Sequence, residues 1–192
     1  GARGRFMSAI LLSAPHTTSN SRRTSAVGLS QMSDWHAGVQ LHRKPFTGAD
    51  LGLYSVTFTN ELEWDYRALE AFHDFRIEAE KKQFRYFLEV CNPNVDPGIE
   101  QREVGGFLND CIVRCLAGVT EAGRPVFLKI PYNGPGPLEE LVSYDPDLVV
   151  GILGGSAGTT LDAFQLIHDA QKYGAKVALF GRKINLSESP LA

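Results

Sequence analysis

Three consecutive segments of the sequence repeat one order, a short apolar run followed by a glycine-rich or polar loop. The apolar runs are Val126–Ile130, Asp147–Leu153 and Lys176–Phe180, and a segment with helical character separates each run from the next. Alternating strands and helices are typical of a parallel sheet, whose ligand-binding residues lie at the carboxyl ends of the strands. This order of elements constrains both the fold class and the region where a site is expected.

Two further strands are predicted before these segments. Leu51–Phe58 is rich in β-branched and aromatic residues, and Tyr86–Cys91 is an apolar run that stops at an Asn-Pro-Asn turn. The spacing between them predicts an amphipathic helix that extends to about Gln83, with Thr59 or Asn60 as its N-cap. The apolar side of this helix is predicted to carry Leu62, Tyr66, Leu69, Phe72 and Phe75.

Three more helices complete the alternation, and they are predicted at Leu108–Thr120, Pro137–Tyr144 and Leu161–Tyr173. The fold class is therefore α/β, with two architectures left open: a doubly wound open sheet, or part of an eight-stranded (βα)8 TIM barrel. A complete barrel takes about 250 residues. Because this chain has 192 residues, the barrel reading predicts a partial barrel.

Composition predicts an ordinary soluble globular protein of about one domain, with 43% hydrophobic and 21% charged residues. The net charge of −3 gives no reason to expect nucleic acid or an anionic membrane as a partner. The three cysteines lack disulfide or CxxC spacing, which favours reduced thiols and a cytoplasmic location. Residues 13–33 show no period of either kind, and residues 1–50 are predicted to be a poorly ordered or irregular arm before a barrel portion at 51–192.

Two glycine-containing loops follow the last two predicted strands. Gly154, Gly155 and Ser156 lie in the first loop, just before a predicted helix, and Gly181 and Arg182 lie in the second. Backbone N–H groups at a glycine loop and a helix N-terminus bind phosphate, and an arginine adds a charge-assisted contact. Because paired loops after two late strands form the phosphate site of many barrels, these five residues are predicted to bind a substrate phosphate.

Lys129 and Glu89 are charged residues within otherwise apolar strands. Burial lowers the pKa of a lysine and makes its amine nucleophilic, as Schiff-base chemistry requires, although a lysine in a strand more often faces solvent. Glu89 likewise either faces outward or points into a site. If both residues share the interior, each changes the pKa of the other, and Glu89 can act as a general acid or base.

The order of Lys129, the loop Ile152–Ser156 and the loop Phe180–Arg182 resembles the class I (Schiff-base) fructose-bisphosphate aldolases of the bacterial and archaeal type, relatives of deoxyribose-phosphate aldolase. The resemblance covers residues 86–185 and implies that the five strands are strands four to eight of a (βα)8 barrel. It also implies that Lys129 is the Schiff-base lysine and that the two loops hold the substrate phosphate.

The chain departs from that family at two places. The family has a proton-shuttle tyrosine near the end of its fifth strand, where this chain has Glu89 instead, so Tyr132, just past Lys129, is the alternative proton-transfer residue. The aspartate of the family's first strand has no counterpart in this sequence.

The resulting expectation is a class I aldolase-like lyase that makes or breaks a C–C bond in a phosphorylated sugar, with catalytic Lys129, Glu89 and Tyr132. Two alternatives are a phosphate-binding barrel without covalent chemistry, such as an isomerase or a binding protein, and an inactive barrel fragment. The expected partner is a phosphorylated small molecule. No cofactor and no metal are predicted, and the sequence leaves a homo-oligomer open.

Overall fold

The computed structural model of the chain describes residues 51–154 and 158–182. Within these residues, five strands alternate with four α-helices. The strands are β1 (Leu51–Thr57), β2 (Arg85–Cys91), β3 (Leu128–Ile130), β4 (Val150–Leu153) and β5 (Val177–Leu179). All five predicted strands are therefore confirmed. The predicted arm at residues 1–50 lies outside the described residues.

The helices are α1 (Leu62–Lys81), α2 (Val104–Leu116), α3 (Pro135–Tyr144) and α4 (Thr160–Lys172). A short 3-10 helix at Glu121–Gly123 precedes β3. The predicted alternation of helices and strands is confirmed, with element ends that shift by a few residues. No helix in the described ranges is both long and apolar enough to cross a lipid bilayer.

The strands form one parallel sheet in the order β1-β2-β3-β4-β5. A doubly wound sheet reverses its strand order at a switch point, and this sheet shows no reversal among its five described strands. Because crossovers between parallel strands are right-handed, a consecutive order places all connecting helices on one face. The described residues are therefore consistent with part of a (βα) fold and not with a doubly wound sheet.

One face of the sheet packs against the helices through apolar side chains. The central strands contribute Leu88, Leu128 and Val150, each at most 1% exposed, at every second position. The helices supply apolar side chains that belong to the same buried cluster. These are Ala68, Phe72, Phe75 and Ala79 of α1, Val104, Leu108, Cys111, Ile112, Cys115 and Leu116 of α2, Leu138 and Leu141 of α3, and Ala170 of α4.

Four aromatic rings lie between α1 and the first two strands. The Tyr54 ring centroid is 4.3 Å from that of Phe75, and the Tyr86 centroid is 5.0 Å from Phe75 in an edge-to-face arrangement. The Tyr86 hydroxyl donates to the Gly123 carbonyl at 2.8 Å. Among the described residues, the buried Tyr54 hydroxyl has no hydrogen-bond partner. The two tyrosines therefore share a packing environment but differ in hydrogen bonding.

The start of α1 differs from the prediction. Glu61 is the N-cap, and its carboxylate accepts from the N–H groups of Glu63 and Trp64. Thr59 and Asn60 precede this cap, and their backbone N–H groups donate to the Asp65 carboxylate at 2.8 and 2.9 Å. The loop thus folds back onto the first turn of the helix, which moves the cap one or two residues along the chain.

The predicted apolar side of α1 is correct only for its later turns. Phe72 and Phe75 are 2% exposed, whereas Leu62 is 85% exposed and Tyr66 is 57% exposed. Alanines fill the other buried positions of the helix, Ala68 and Ala79. Small residues let α1 approach the sheet at its later turns, while its first turn is mostly exposed.

Candidate functional site

The face of the sheet opposite the helices carries polar side chains from three neighbouring strands. Ser55, Glu89 and Lys129 lie on this face, because strand residues alternate between faces. The register aligns Ser55 with Glu89, Glu89 with Lys129, and Thr57 with Cys91. We refer to Ser55, Thr57, Glu89, Cys91 and Lys129 as the polar cluster.

Lys129 and Glu89 are in direct contact at the centre of the polar cluster. The Lys129 Nζ lies 2.5 Å from Glu89 Oε1, and the side chains are only 10% and 15% exposed. Lys129 therefore does not face bulk solvent, and the two predicted site residues are brought together. Burying one of these charges alone would be strongly unfavourable, so each residue depends on its partner.

Cys91 lies beside the ion pair, nearer the carboxyl ends of the strands. Burial raises the pKa of its thiol, and the negative charge of Glu89 raises it further. Hydrogen bonds from Ser55 and Thr57 and the positive charge of Lys129 lower the pKa and oppose this rise. The net direction is upward, so the thiol stays protonated near neutral pH.

The strand on the other side of Lys129 has a glycine in register with it, Gly151. A Cβ atom at this position would lie 2.9 Å from the Leu128 carbonyl oxygen and 3.0 Å from Val177 Cβ, so the close approach of β3, β4 and β5 requires glycine. The Lys129 side chain is consequently flanked by Glu89 on one strand and by bare backbone on the other.

The loops after β4 and β5 begin side by side. The Gly154 N–H donates to the Leu179 carbonyl at 3.0 Å. A Cβ atom at Gly154 would lie 2.1 Å from the Phe180 ring, so packing alone requires glycine at this position. Gly155 and Ser156, also predicted to bind phosphate, lie outside the described residues.

Gly181 and Arg182 follow β5 at the same edge of the sheet. Within the described ranges, nothing lies within 4 Å of a Cβ atom placed on Gly181. Its φ is not positive either, so neither packing nor backbone conformation requires glycine there. The Arg182 side chain is exposed. Among the described residues, this half of the predicted phosphate site therefore has space beside an exposed guanidinium group.

The N-terminus of α4 is occupied by its own side chains. Thr159 is the N-cap, its hydroxyl accepts from the Asp162 N–H, and Asp162 Oδ2 accepts from the Thr159 N–H at 2.5 Å in a capping box. A carboxylate at this position competes with a phosphate for the helix N-terminus. A phosphate at this edge would therefore depend on the loop backbone and Arg182 more than on the α4 dipole.

Tyr132 is not grouped with the ion pair. It packs against the apolar core that the helices cover. Burial raises the pKa of its hydroxyl, and the charged groups that act on it include Asp169 and Lys172 of α4 and Glu139 of α3. Tyr132 therefore packs with the helix-covered core, whereas Glu89 is the carboxylate in contact with Lys129.

The loops after β2 and β3 are joined by two asparagine side chains. Asn92 Nδ2 donates to Asn133 Oδ1 at 3.1 Å, and Asn133 Nδ2 donates to Asn92 Oδ1 at 2.9 Å. Because both amides act as donor and acceptor, this reciprocal pair links the ends of the strands that carry Glu89 and Lys129.

No protein-family model matches this sequence. No curated protein sequence matches it significantly. Within residues 51–154 and 158–182, no group of three or more His, Cys, Asp or Glu side chains is placed to hold a metal ion. The function is therefore inferred from the polar cluster and the adjoining loops.

Sequence reasoning did not identify Ser55, Thr57, Cys91 or Gly151 as members of the site. Strand alternation predicts one of these members, because Cys91 lies two residues after Glu89 and therefore lies on the same face of the sheet. The other three positions depend on which residues of β1, β3 and β4 are in register. That register is set by tertiary packing and is not encoded in any local pattern.

Proposed function

We propose that the chain carries the carboxyl-terminal strands, four to eight, of a (βα)8 barrel that acts as a class I aldolase-like lyase on a phosphorylated sugar. The observation that carries this proposal is the buried contact between Lys129 and Glu89 on the sheet face that the helices leave uncovered. An amine with a general base in contact with it is the arrangement that activates a nucleophile for covalent catalysis.

In the proposed reaction, the Lys129 amine adds to the substrate carbonyl carbon, and Glu89 protonates the hydroxyl that leaves as water. The resulting iminium accepts the electron pair of the breaking C–C bond. The Glu89 carboxylate takes the proton from the hydroxyl on the departing carbon, which leaves as an aldehyde. Protonation of the enamine and addition of water release the ketone and restore the amine.

Three features of the site support these roles. Gly151 lets β4 lie close against the strand that carries Lys129, so that strand is paired tightly on both sides. The open space at Gly181 and the exposed Arg182 suit the phosphate of the substrate. Both loops lie at the carboxyl edge of the sheet, where barrel enzymes bind their ligands.

Borohydride trapping tests the proposal directly. Incubation with dihydroxyacetone phosphate and borohydride should add the mass of one reduced ligand to the peptide that contains Lys129. Lys129→Met should abolish this adduct, while the exposed Lys176 should remain unmodified in both proteins. An unmodified Lys129 in a folded wild-type chain would contradict the proposed chemistry.

The phosphate role is tested with the same reaction and a second ligand. Dihydroxyacetone, which lacks the phosphate, should be trapped at least about tenfold more slowly than its phosphate ester. Arg182→Ala should reduce this preference and leave trapping of dihydroxyacetone unchanged. Glu89→Gln should slow trapping of both ligands, because it removes the proton acceptor and leaves the phosphate contact intact.

A second candidate is a phosphate-binding barrel without covalent chemistry. It is favoured by the 2.5 Å contact itself, since an ammonium group paired with a carboxylate is not nucleophilic until it loses its proton. This candidate predicts that phosphate esters raise the melting temperature of Lys129→Met as much as that of the wild type. It also predicts that Arg182→Ala removes this stabilisation.

A further inference from the structure

The loop between β3 and α3 contains an asparagine followed directly by a glycine, Asn133-Gly134, and the sequence has no other such pair. The Cγ atom of an asparagine can be attacked by the backbone nitrogen of the next residue, which closes a five-membered succinimide ring. Glycine permits this attack most readily, because no side chain shields its nitrogen. This pair is therefore the position in the chain where deamidation is chemically easiest.

Gly134 leaves its nitrogen open to this reaction. It is the N-cap of α3 with a φ of +102°, and within the described ranges nothing lies within 4 Å of a Cβ atom placed on it. Among the described residues, its N–H donates no hydrogen bond. Asn133 and Gly134 are both partly exposed, so water can reach a ring that forms between them.

Asn92 holds the reactive side chain in place. The reciprocal hydrogen bonds between Asn92 and Asn133, at 3.1 and 2.9 Å, engage both the oxygen and the nitrogen of each amide. Asn133 must break these bonds before its Cγ atom can turn toward the Gly134 nitrogen. Asn92 itself cannot form the ring in this way, because the next residue is Pro93, which has no N–H.

We infer that Asn133 is a site of spontaneous deamidation and that Asn92 restrains the reaction in the folded protein. The Gly134 nitrogen bonds to Asn133 Cγ, and the side-chain nitrogen of Asn133 leaves as ammonia with the proton that Gly134 gives up. Water then opens the ring at either carbonyl, which yields aspartate or isoaspartate at position 133. The reaction consumes only water, and the inference does not depend on the proposed lyase function.

The products weaken the link between the loops after β2 and β3. A carboxylate accepts hydrogen bonds and does not donate them, so the bond from Asn92 Nδ2 can persist but the bond to Asn92 Oδ1 is lost. The remaining carboxylate oxygen then faces Asn92 Oδ1, and two acceptors repel each other. Isoaspartate also adds one main-chain atom just before α3.

The loop after β2 also forms one wall of a cleft. This cleft of about 500 Å³ is lined by residues within 57–64 and by 94–98, and Asn60 Nδ2 donates to the Pro97 carbonyl at 2.9 Å. Side-chain amides therefore hold the loop at two points, Asn92 at its start and Pro97 near its end. Deamidation at Asn133 loosens the first point, so this wall of the cleft should open locally more often.

Peptide mapping of the full chain after incubation in mildly alkaline buffer tests the reaction, because base removes the proton from the attacking nitrogen. Asn133 should convert several-fold faster than Asn94, whose next residue is the β-branched Val95. A peptide that lacks one ammonia should precede the two products. Asn133→Gln keeps the amide but requires a six-membered ring, so it should stop the conversion at this position. An Asn133 that converts no faster than Asn94 would overturn the inference.

The restraint is tested by removing Asn92. Asn92→Ala deletes both hydrogen bonds and should speed conversion of Asn133 several-fold. Asn60→Ala is the matched control, because it frees the same loop at Pro97 and leaves the amide pair intact. The unfolded wild-type chain in urea gives the unrestrained rate, which should also exceed the folded rate several-fold. Equal rates in the folded and unfolded wild type, or equal acceleration by both alanine substitutions, would contradict a restraint by Asn92.

Asn133→Asp tests the consequence for the cleft. Amide hydrogen exchange should become several-fold faster in the peptide that spans the end of β2 and the loop to Gly98, because one of its two attachments is weakened. Exchange in α4, which does not contact this loop through the amide pair, should be unchanged. Exchange at the loop equal to that of the wild type would refute the assigned role of the pair in holding the cleft wall.

Discussion

The two faces of the sheet use neighbouring residues of the same strands for different purposes. On the helix-covered face, Leu88 and Leu128 are fully buried among apolar side chains. One residue further along each strand, Glu89 and Lys129 form an ion pair on the opposite face. Strand alternation thus separates the residues that determine stability from those that can perform chemistry, with a single peptide bond between them.

The largest loss of stability is expected from a substitution on the helix-covered face. Leu128→Ala removes a side chain that is 0% exposed and should lower the free energy of unfolding by about 4 kcal/mol, through lost burial and a residual cavity. Urea denaturation followed by circular dichroism measures this loss. Val126→Ala, at a 44% exposed position just before the same strand, should cost far less. Similar losses at both positions would contradict the difference in burial between Leu128 and Val126.

The opposite face should respond to the loss of one charge more than to the loss of both. Glu89→Leu leaves the Lys129 amine without its partner and should lower the free energy of unfolding by about 3 kcal/mol. Glu89→Leu combined with Lys129→Met should recover most of this loss, because no unpaired charge remains buried. A double variant as unstable as the sum of its single variants would show that the two residues do not interact.

The paired tyrosines between α1 and the sheet provide a finer comparison. Tyr86→Phe removes the hydrogen bond to Gly123 and should lower the free energy of unfolding by about 1 kcal/mol. Tyr54→Phe removes a buried hydroxyl without a partner among the described residues and should be neutral or stabilising. Equal losses measured by urea denaturation would imply that the Tyr54 hydroxyl is also satisfied.

The smallest expected change in stability is the one that alkaline pH causes. Burial raises the pKa of Cys111 to about 11 and that of Cys115 to about 12, from an ordinary thiol value of 9.0. The unfolded chain therefore loses these protons first as the pH rises, and stability is lost from about pH 9 upward. The urea midpoint should fall between pH 8 and about pH 10, and Cys115→Ala should show a shallower fall. A midpoint independent of pH over this range would be inconsistent with buried protonated thiols.

Much of the fold is predictable from the sequence, because each element has a local pattern. The alternation of strands and helices is visible in apolar runs and glycine turns, and the capped start of α4 follows from Thr159 and Asp162. Strand lengths are less predictable. The run at 147–153 becomes a strand only from Val150, because the Asp147 and Leu148 N–H groups donate to Asp145 in a turn.

The candidate site is predictable only in part. Lys129 and Glu89 can be identified from the sequence as charged residues within apolar strands. Their contact, however, depends on the register of β2 and β3. No local sequence pattern predicts the cleft, because it forms where the start of α1 meets the loop after β2. Long-range geometry of this kind is set by packing between elements that are distant in the sequence.

The consecutive strand order also affects how the sheet assembles. Every described strand pairs only with the strand before or after it in the chain, so each pairing closes a loop of roughly a few tens of residues. The entropy lost on closing such loops grows slowly with length, and no pairing must wait for a distant end of the chain. The sheet can therefore grow one strand–helix unit at a time, as the chain leaves the ribosome.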